Sequence, residues 1–258
     1  MADLLQDVLE LLRREREFFG EDLLVGAPSG PKEDAMTPHR GATESEPLLF
    51  ELPSTGSPAT TEAWGAAESL EDLDAKICTC MKCPLGSTRT RFVFGTGNSR
   101  ATLMLIGEAP GADEDAQGEP FVGKAGQLLN KILGAIGFRR EEVYICNILK
   151  CRPPGNRKPA SEEVAQCLPY LQKQIALINP AVILCLGLTA AENLLETSES
   201  LTRLRGRVLE YQGIPLMVTY HPAALLRNPN WKRPTWEDVQ AVRKLHDELV
   251  AREGGTQR

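Results

Sequence analysis

The chain has 258 residues, 42% of them hydrophobic, and no stretch near the roughly 18 to 20 consecutive apolar residues that a membrane-spanning helix requires. Acidic residues stand where a secretory signal would carry basic ones, and seven cysteines in short local groups do not fit a small secreted disulfide framework, so a cytoplasmic protein with no membrane partner is expected. The net charge of −6 divides unevenly: residues 1–75 hold 17 acids and 5 bases, net −12, and the remainder holds 18 acids and 24 bases, net +6, which is compatible with a polyanionic partner.

In chain order, Leu4, Leu5, Val8, Leu11 and Leu12 recur at helical spacing, so residues 1–19 read as an amphipathic helix that docks on its own domain or on a protein partner. Residues 20–72 form an acidic Pro, Gly, Ser and Thr-rich linker whose composition cannot bury enough apolar surface to offset the entropy of ordering. A folded domain is expected over 73–252, with a disordered tail at 253–258. Apolar runs at 102–106, 143–149, 181–187 and 215–220 read as strands, and 124–136, 160–178, 188–196 and 235–251 as helices. This alternation predicts an α/β fold, a mainly parallel four-stranded sheet flanked by helices. Ligands of such sheets bind at the carboxyl ends of the strands.

Cys80 and Cys83 are spaced so that both sulfurs can face one metal centre, and Cys151 and Cys167 lie further along the chain. Two such pairs can hold tetrahedral zinc or an iron-sulfur cluster, and spacing does not decide between them. Cys146 and Cys185 sit in apolar strand runs and read as core. Cys78, one residue removed from Cys80, points elsewhere in extended chain and is left out of the site.

Three strand ends carry the remaining chemistry. Gly107 to Gly111, sequence GEAPG, is a tight turn whose backbone, with Gly107 and Ala109, can approach a ligand closely while Glu108 sits at the mouth or is merely solvated. Phe121, in GEPFVGKAG, is either a stacking platform or core. Asn147 is a polar amide in an apolar run, and burying it without a partner costs roughly 2 to 7 kcal/mol, so it caps local structure or faces a ligand. Arg152, Arg157 and Lys158 then offer phosphate contacts or a solvated basic loop. Of three histidines, His39 falls in the linker and His246 in the last helix. His221, at a strand end before a proline, is the best acid or electrostatic catalyst present.

Six ordered motifs, the CxxC at Cys80 and Cys83, GEAPG, GEPFVGKAG, NILKCRPPGNRKP, the later Cys167 and HPAALLRNP, resemble the family 4 uracil-DNA glycosylases over residues 75 to 250. The resemblance implies a [4Fe-4S] cluster on Cys80, Cys83, Cys151 and Cys167, a three-layer α/β/α fold, and an enzyme, expected to act as a nucleoid-associated monomer, that hydrolyses the N-glycosidic bond of uracil in DNA. By the same resemblance Glu108 positions water, Phe121 stacks on the flipped base, Asn147 reads its polar edge and His221 stabilises the leaving base. Leu225 or Leu226 wedges into the vacated stack, and Arg227 joins the basic contacts to DNA. A related branch that traps its substrate covalently carries GEQPG and a histidine-bearing insertion. Neither occurs here, so turnover is expected. Two other readings are a noncatalytic iron-sulfur DNA-binding module associated with replication, and a zinc-stabilised hydrolase of small nucleotides.

Overall fold

The structure, a computed structural model, describes residues 62–255; the helix expected at 1–19, His39 and most of the linker lie outside the described residues. The strands are β1 (Thr96–Gly97), β2 (Leu103–Gly107), β3 (Tyr144–Asn147), β4 (Val182–Leu186), β5 (Leu209–Tyr211) and β6 (Ile214–Thr219). The helices are α1 (Leu70–Ile77), α2 (Leu85–Thr88), α3 (Ala112–Gln117), α4 (Lys124–Ala135), α5 (Ser161–Ile178), α6 (Leu188–Leu195), α7 (Leu201–Leu204), α8 (Pro222–Arg227) and α9 (Lys232–Gly255).

The four expected strands form the parallel centre of the sheet, in the order β3-β2-β4-β6. Every residue of β2, β3 and β4 is buried, as unbroken apolar runs require when helices cover both faces. Alternate residues feed two cores. Met104, Ile106, Cys146, Ile183 and Cys185 pack on one face with α5 and α6. Leu103, Leu105, Ile145, Leu184 and Met217 pack on the other with α4 and α9. Cys146 and Cys185 are thus core, as read from the sequence.

The chain leaves β2 toward β3 on one side, then returns across the sheet to β4 on the other. This reversal opens a crevice at the carboxyl ends of the strands.

Two features differ from expectation. The sheet has six strands, because β1 and β5 add short antiparallel edges that are too brief and too exposed to show a period. The domain also begins before residue 73. Trp64 (7% exposed), Ala67 and Leu70 are buried in the core, and Ser69 caps α1 by accepting the Asp72 N–H, so residues 62–72 are folded and not linker. One tryptophan and two small apolar residues in a polar context were too sparse for periodicity to reveal this. Among the described residues no helix is long and apolar enough to cross a membrane.

Candidate active site and cysteine centre

The strand ends are tied to one another by register. Gly107 pairs with Asn147 across β2 and β3, and the N–H of Ile148 and of Leu149 donate to the carbonyls of Gly107 and Glu108. These bonds set Glu108 and Asn147 side by side. A cleft of about 380 Å³ opens above them, lined by Glu108, Ala109, Phe121, Asn147, His221 and Arg227 among others.

Phe121 is held at a positive φ of 54° in a turn that Gly126 makes possible, because a Cβ there would stand 1.8 Å from the Phe121 carbonyl oxygen. Arg140 completes the clamp from below by donating to the carbonyls of Pro120 and Phe121, at 2.5 and 3.2 Å. The Phe121 ring lies 5.4 Å from that of His221, inclined by 30°.

His221 caps α8. Its Nδ1 accepts the Ala223 N–H at 3.1 Å, which leaves Nε2 to carry the proton of the neutral ring. Burial, and to a lesser extent the Arg227 guanidinium, push its pKa down to about 4, so the imidazole is neutral near pH 7.

Asn147 is 2% exposed, and its Oδ1 is a buried oxygen without a hydrogen-bond partner. In a packed interior such an atom is rare, and one that borders a cleft is placed to accept from a water or a ligand in it.

Glu114 is a lining residue that the motif reading missed. Its carboxylate accepts the Gly111 N–H at 3.1 Å and the Val122 and Gly123 N–H at 3.0 and 3.1 Å, locking the GEAPG turn to the Phe121 turn. The signal was available, since a glutamate three residues into a helix after a glycine is a capping pattern.

The basic residues divide. Arg157 and Arg227 line the cleft, but Arg157 is also bound bidentately to Glu163 at 2.6 and 2.9 Å, and this bond ties the 151–160 loop to the start of α5. Arg152 donates to Asn156 and Lys158 pairs with Glu192, both outside the cleft lining. Leu225 is fully buried between α4 and α8, so the expectation that either leucine wedges into DNA narrows to Leu226, which is 50% exposed. Helical period permits this: adjacent residues point about 100° apart, so one can face the core while the next faces solvent.

The four cysteines named from the sequence converge from three places: Cys80 and Cys83 between α1 and α2, Cys151 after β3, and Cys167 within α5. Burial raises the Cys151 thiol, and the neighbouring Cys83 and Cys80 raise it further. Cys167 is pushed up to about 12, chiefly by burial, with Cys151 and Cys83 adding to the shift. Three donors already face the sulfurs. Arg89 donates to Cys151 at 3.2 Å, the Lys150 backbone N–H to Cys167 at 3.3 Å and the Tyr170 hydroxyl to Cys80 at 3.2 Å.

Cys78 instead donates to the Ala75 carbonyl. Among the described residues, no group of three or more His, Cys, Asp or Glu side chains is arranged to hold a single metal ion. The donor set nonetheless fits an anionic sulfur-ligated group. Lys150 is fully buried beside it, and among the described residues its ammonium has no carboxylate at ion-pair distance. Burying such a cation without compensation is costly, and a negative neighbour offsets that cost.

A family model described as the uracil DNA glycosylase superfamily matches residues 94–244. The type-4 uracil-DNA glycosylase of Archaeoglobus fulgidus is 45% identical over 186 residues, covering 69% of this chain and 94% of that protein. That of Pyrobaculum aerophilum is 47% identical over 170 residues, covering 62% and 86%. That of Thermotoga maritima is 42% identical over 182 residues, covering 69% and 95%. With a parallel-sheet crevice, an unsatisfied amide beside a ring and an imidazole, and similarity running nearly the whole length of these relatives, the chain belongs to the uracil-DNA glycosylase superfamily and, within it, to the type-4 uracil-DNA glycosylases.

Proposed function

We propose that the cleft excises uracil from DNA by hydrolysing its N-glycosidic bond, leaving an abasic site. The single observation that carries the chemistry is the unpartnered Asn147 Oδ1 beside Phe121 and His221 in one cavity. An everted base stacks on Phe121, which offsets part of the few kcal/mol lost in unstacking and unpairing it. The Asn147 amide accepts from uracil N3–H and donates to O4. Cytosine presents an unprotonated nitrogen and an amino group at those positions, so both contacts are mismatched.

As the glycosidic bond lengthens, negative charge gathers on uracil O2. The Nε2–H of neutral His221 donates to that oxygen, stabilising charge that exists mainly in the transition state. Glu108 positions the attacking water on the sugar side. Arg227 and the exposed Leu226 face the DNA, Leu226 entering the space the base has left.

Cys80, Cys83, Cys151 and Cys167 hold a [4Fe-4S] cluster in this reading, supported by their mutual proximity, the donors aimed at their sulfurs and the buried cation beside them. The cluster, when bound, supplies a cross-link between the segment before α2, the loop after β3 and α5. Arg152, Arg157 and Lys158 act first in loop structure, with their outer N–H groups turned toward phosphates. The protein acts as a monomer, on DNA in the nucleoid.

The test is incubation of the purified protein with an oligonucleotide carrying one uracil, followed by alkali. Strand cleavage at that position alone, with no protein-DNA band surviving on a denaturing gel, is expected. An intact strand overturns the assignment, and a surviving band overturns simple turnover.

A further inference from the structure

Lys150 belongs to neither functional group, yet it is bonded to both. It is the largest of the fully buried side chains, at 0% exposure. Its backbone N–H donates to Cys167 Sγ at 3.3 Å. Its ammonium reaches back along the chain to the Asn147 carbonyl at 2.9 Å, and to Gln174 Oε1 at 2.6 Å. Gln174 is itself buried and donates to the Phe94 carbonyl and the Tyr144 hydroxyl, both at 3.1 Å, so the acceptor is fixed by two further elements.

Burial holds the Asp74 carboxyl above its usual range while the Lys150 charge opposes that shift, and among the described residues no carboxylate lies within ion-pair distance of the Lys150 ammonium. A buried ammonium with two neutral acceptors is an expensive arrangement unless a negative group lies close by. Four thiolates around a cluster are such a group.

We infer that Lys150 is a positioning residue that joins the cysteine centre to base recognition: it is the internal counter-charge of the cluster, and through the Asn147 carbonyl it sets where the uracil-reading amide stands. The inference deepens the reading above and depends on it. The geometry supports a division of labour along the five-residue segment 147–151. Asn147 faces the base, Lys150 closes the strand end beneath it, and Cys151 holds the cluster, so a displacement at the sulfurs is passed through one side chain to the base pocket. The coupling needs no redox change. It requires only that the buried charge stays compensated.

The test compares Lys150→Met, Lys150→Gln and Lys150→Arg in the full-length holoprotein. Four quantities are read: iron content, the reduction potential of the cluster, inhibition by free uracil, and uracil release. Removing a positive charge beside the cluster makes its reduction harder, so Met and Gln lower the potential while Arg leaves it near the parent value. Losing the bond from a charged donor to the Asn147 carbonyl weakens uracil inhibition about tenfold or more in Lys150→Met. Lys150→Gln, which can still donate, weakens it less. In an Asn147→Ala background the Met change adds nothing further to uracil inhibition, as expected of a residue that acts through Asn147.

Loss of the cluster from Met and Gln but not from Arg also supports the counter-charge role. Loss from all three overturns it, because the position then demands the shape of lysine and not its charge. A Met variant with parental potential and parental uracil inhibition overturns the inference while leaving the glycosylase reading intact. A parent protein that carries no iron or releases no uracil overturns that reading, and this inference with it.

Discussion

Gly107 shows how tightly the cleft is drawn around its contents. A Cβ built there would stand 2.4 Å from Asn147 Oδ1 and 2.6 Å from the Phe121 ring, so even a methyl group must push one of the two recognition groups aside. Gly107→Ala is expected to keep the fold, at a cost of about 1 to 3 kcal/mol for overpacking, and to lower kcat/KM for uracil-containing DNA at least about tenfold. Circular dichroism and steady-state kinetics on one sample check both parts.

His221 gives a second residue-scale expectation, in pH. Its folded pKa of about 4 lies below the ordinary value of 6.5, so the unfolded chain takes up the proton first and acid favours unfolding. Its neutral form therefore adds no stability penalty above pH 6.5, and stability is lost as pH falls from 6.5 toward 4. Catalysis follows the same group, so the acid limb that His221 contributes to single-turnover uracil release is expected near pH 4. A break at pH 6.5 that disappears in His221→Ala would contradict the lowered pKa of a buried imidazole.

Glu108, Asn147 and His221 stood out in the sequence because each breaks the pattern of its surroundings: a carboxylate in a glycine turn, an amide in an apolar strand, an imidazole before a proline. Phe121 reads equally as core, and the choice of its stacking role came from the resemblance alone. Lys150 was not singled out because it reads as one more base before a basic loop, and Glu114 was passed over although its capping position after Gly111 could be read.

At the scale of elements, length decided what could be read. Helices α4, α5 and α6 begin and end within one or two residues of their expected bounds, since their apolar periodicity runs for two turns or more. Strands β1 and β5, of two and three residues, carry no such signal. The stretch 62–67 is a subtler case. Trp64 stands edge-on to Tyr170, at 4.8 Å between ring centres, and Lys82 lies over both rings while pairing with Glu62. That contact closes over the Cys80 to Cys83 loop, and only tertiary packing reveals it.

Helix α8 offers the cleanest test of an element read from sequence. Its two adjacent leucines part company, Leu225 buried in the core and Leu226 half-exposed to solvent. Leu225→Ala is expected to destabilise the fold by about 2 to 5 kcal/mol through a buried cavity, visible as a lower denaturant midpoint. Leu226→Ala is expected to change stability by less than about 0.5 kcal/mol, yet to slow uracil release from double-stranded DNA about tenfold. Single-stranded DNA, which has no stack to keep open, should be cleaved near the parental rate. Equal losses on both substrates would remove Leu226 from the wedge role.

Across the whole molecule, the order of strands accounts for the location of the site. The crossover from β3 over β2 to β4 opens the crevice, and the turns after β2, β3 and β6 deliver Glu108, Asn147 and His221 to it. The alternation of strands and helices made this parallel centre readable, and with it the end of the sheet where ligands bind. Sequence could not show that the domain reaches back to Trp64, because its packing on Tyr170 is a long-range contact with no local pattern, nor that Arg157 is half spent on Glu163, because that pair depends on how the loop before α5 folds. The charge of the molecule is distributed to match its function: the acidic residues concentrate before residue 75, and the glycosylase domain carries the surplus of bases.

If a carboxylate and an imidazole in one cleft break the bond to an everted uracil, single-turnover release from a uracil-containing oligonucleotide depends on both. The parent protein is expected to convert every uracil site to an alkali-labile one, with Glu108→Ala and His221→Ala each slower by about a hundredfold or more while still binding the DNA. Full-rate release by both variants would contradict it.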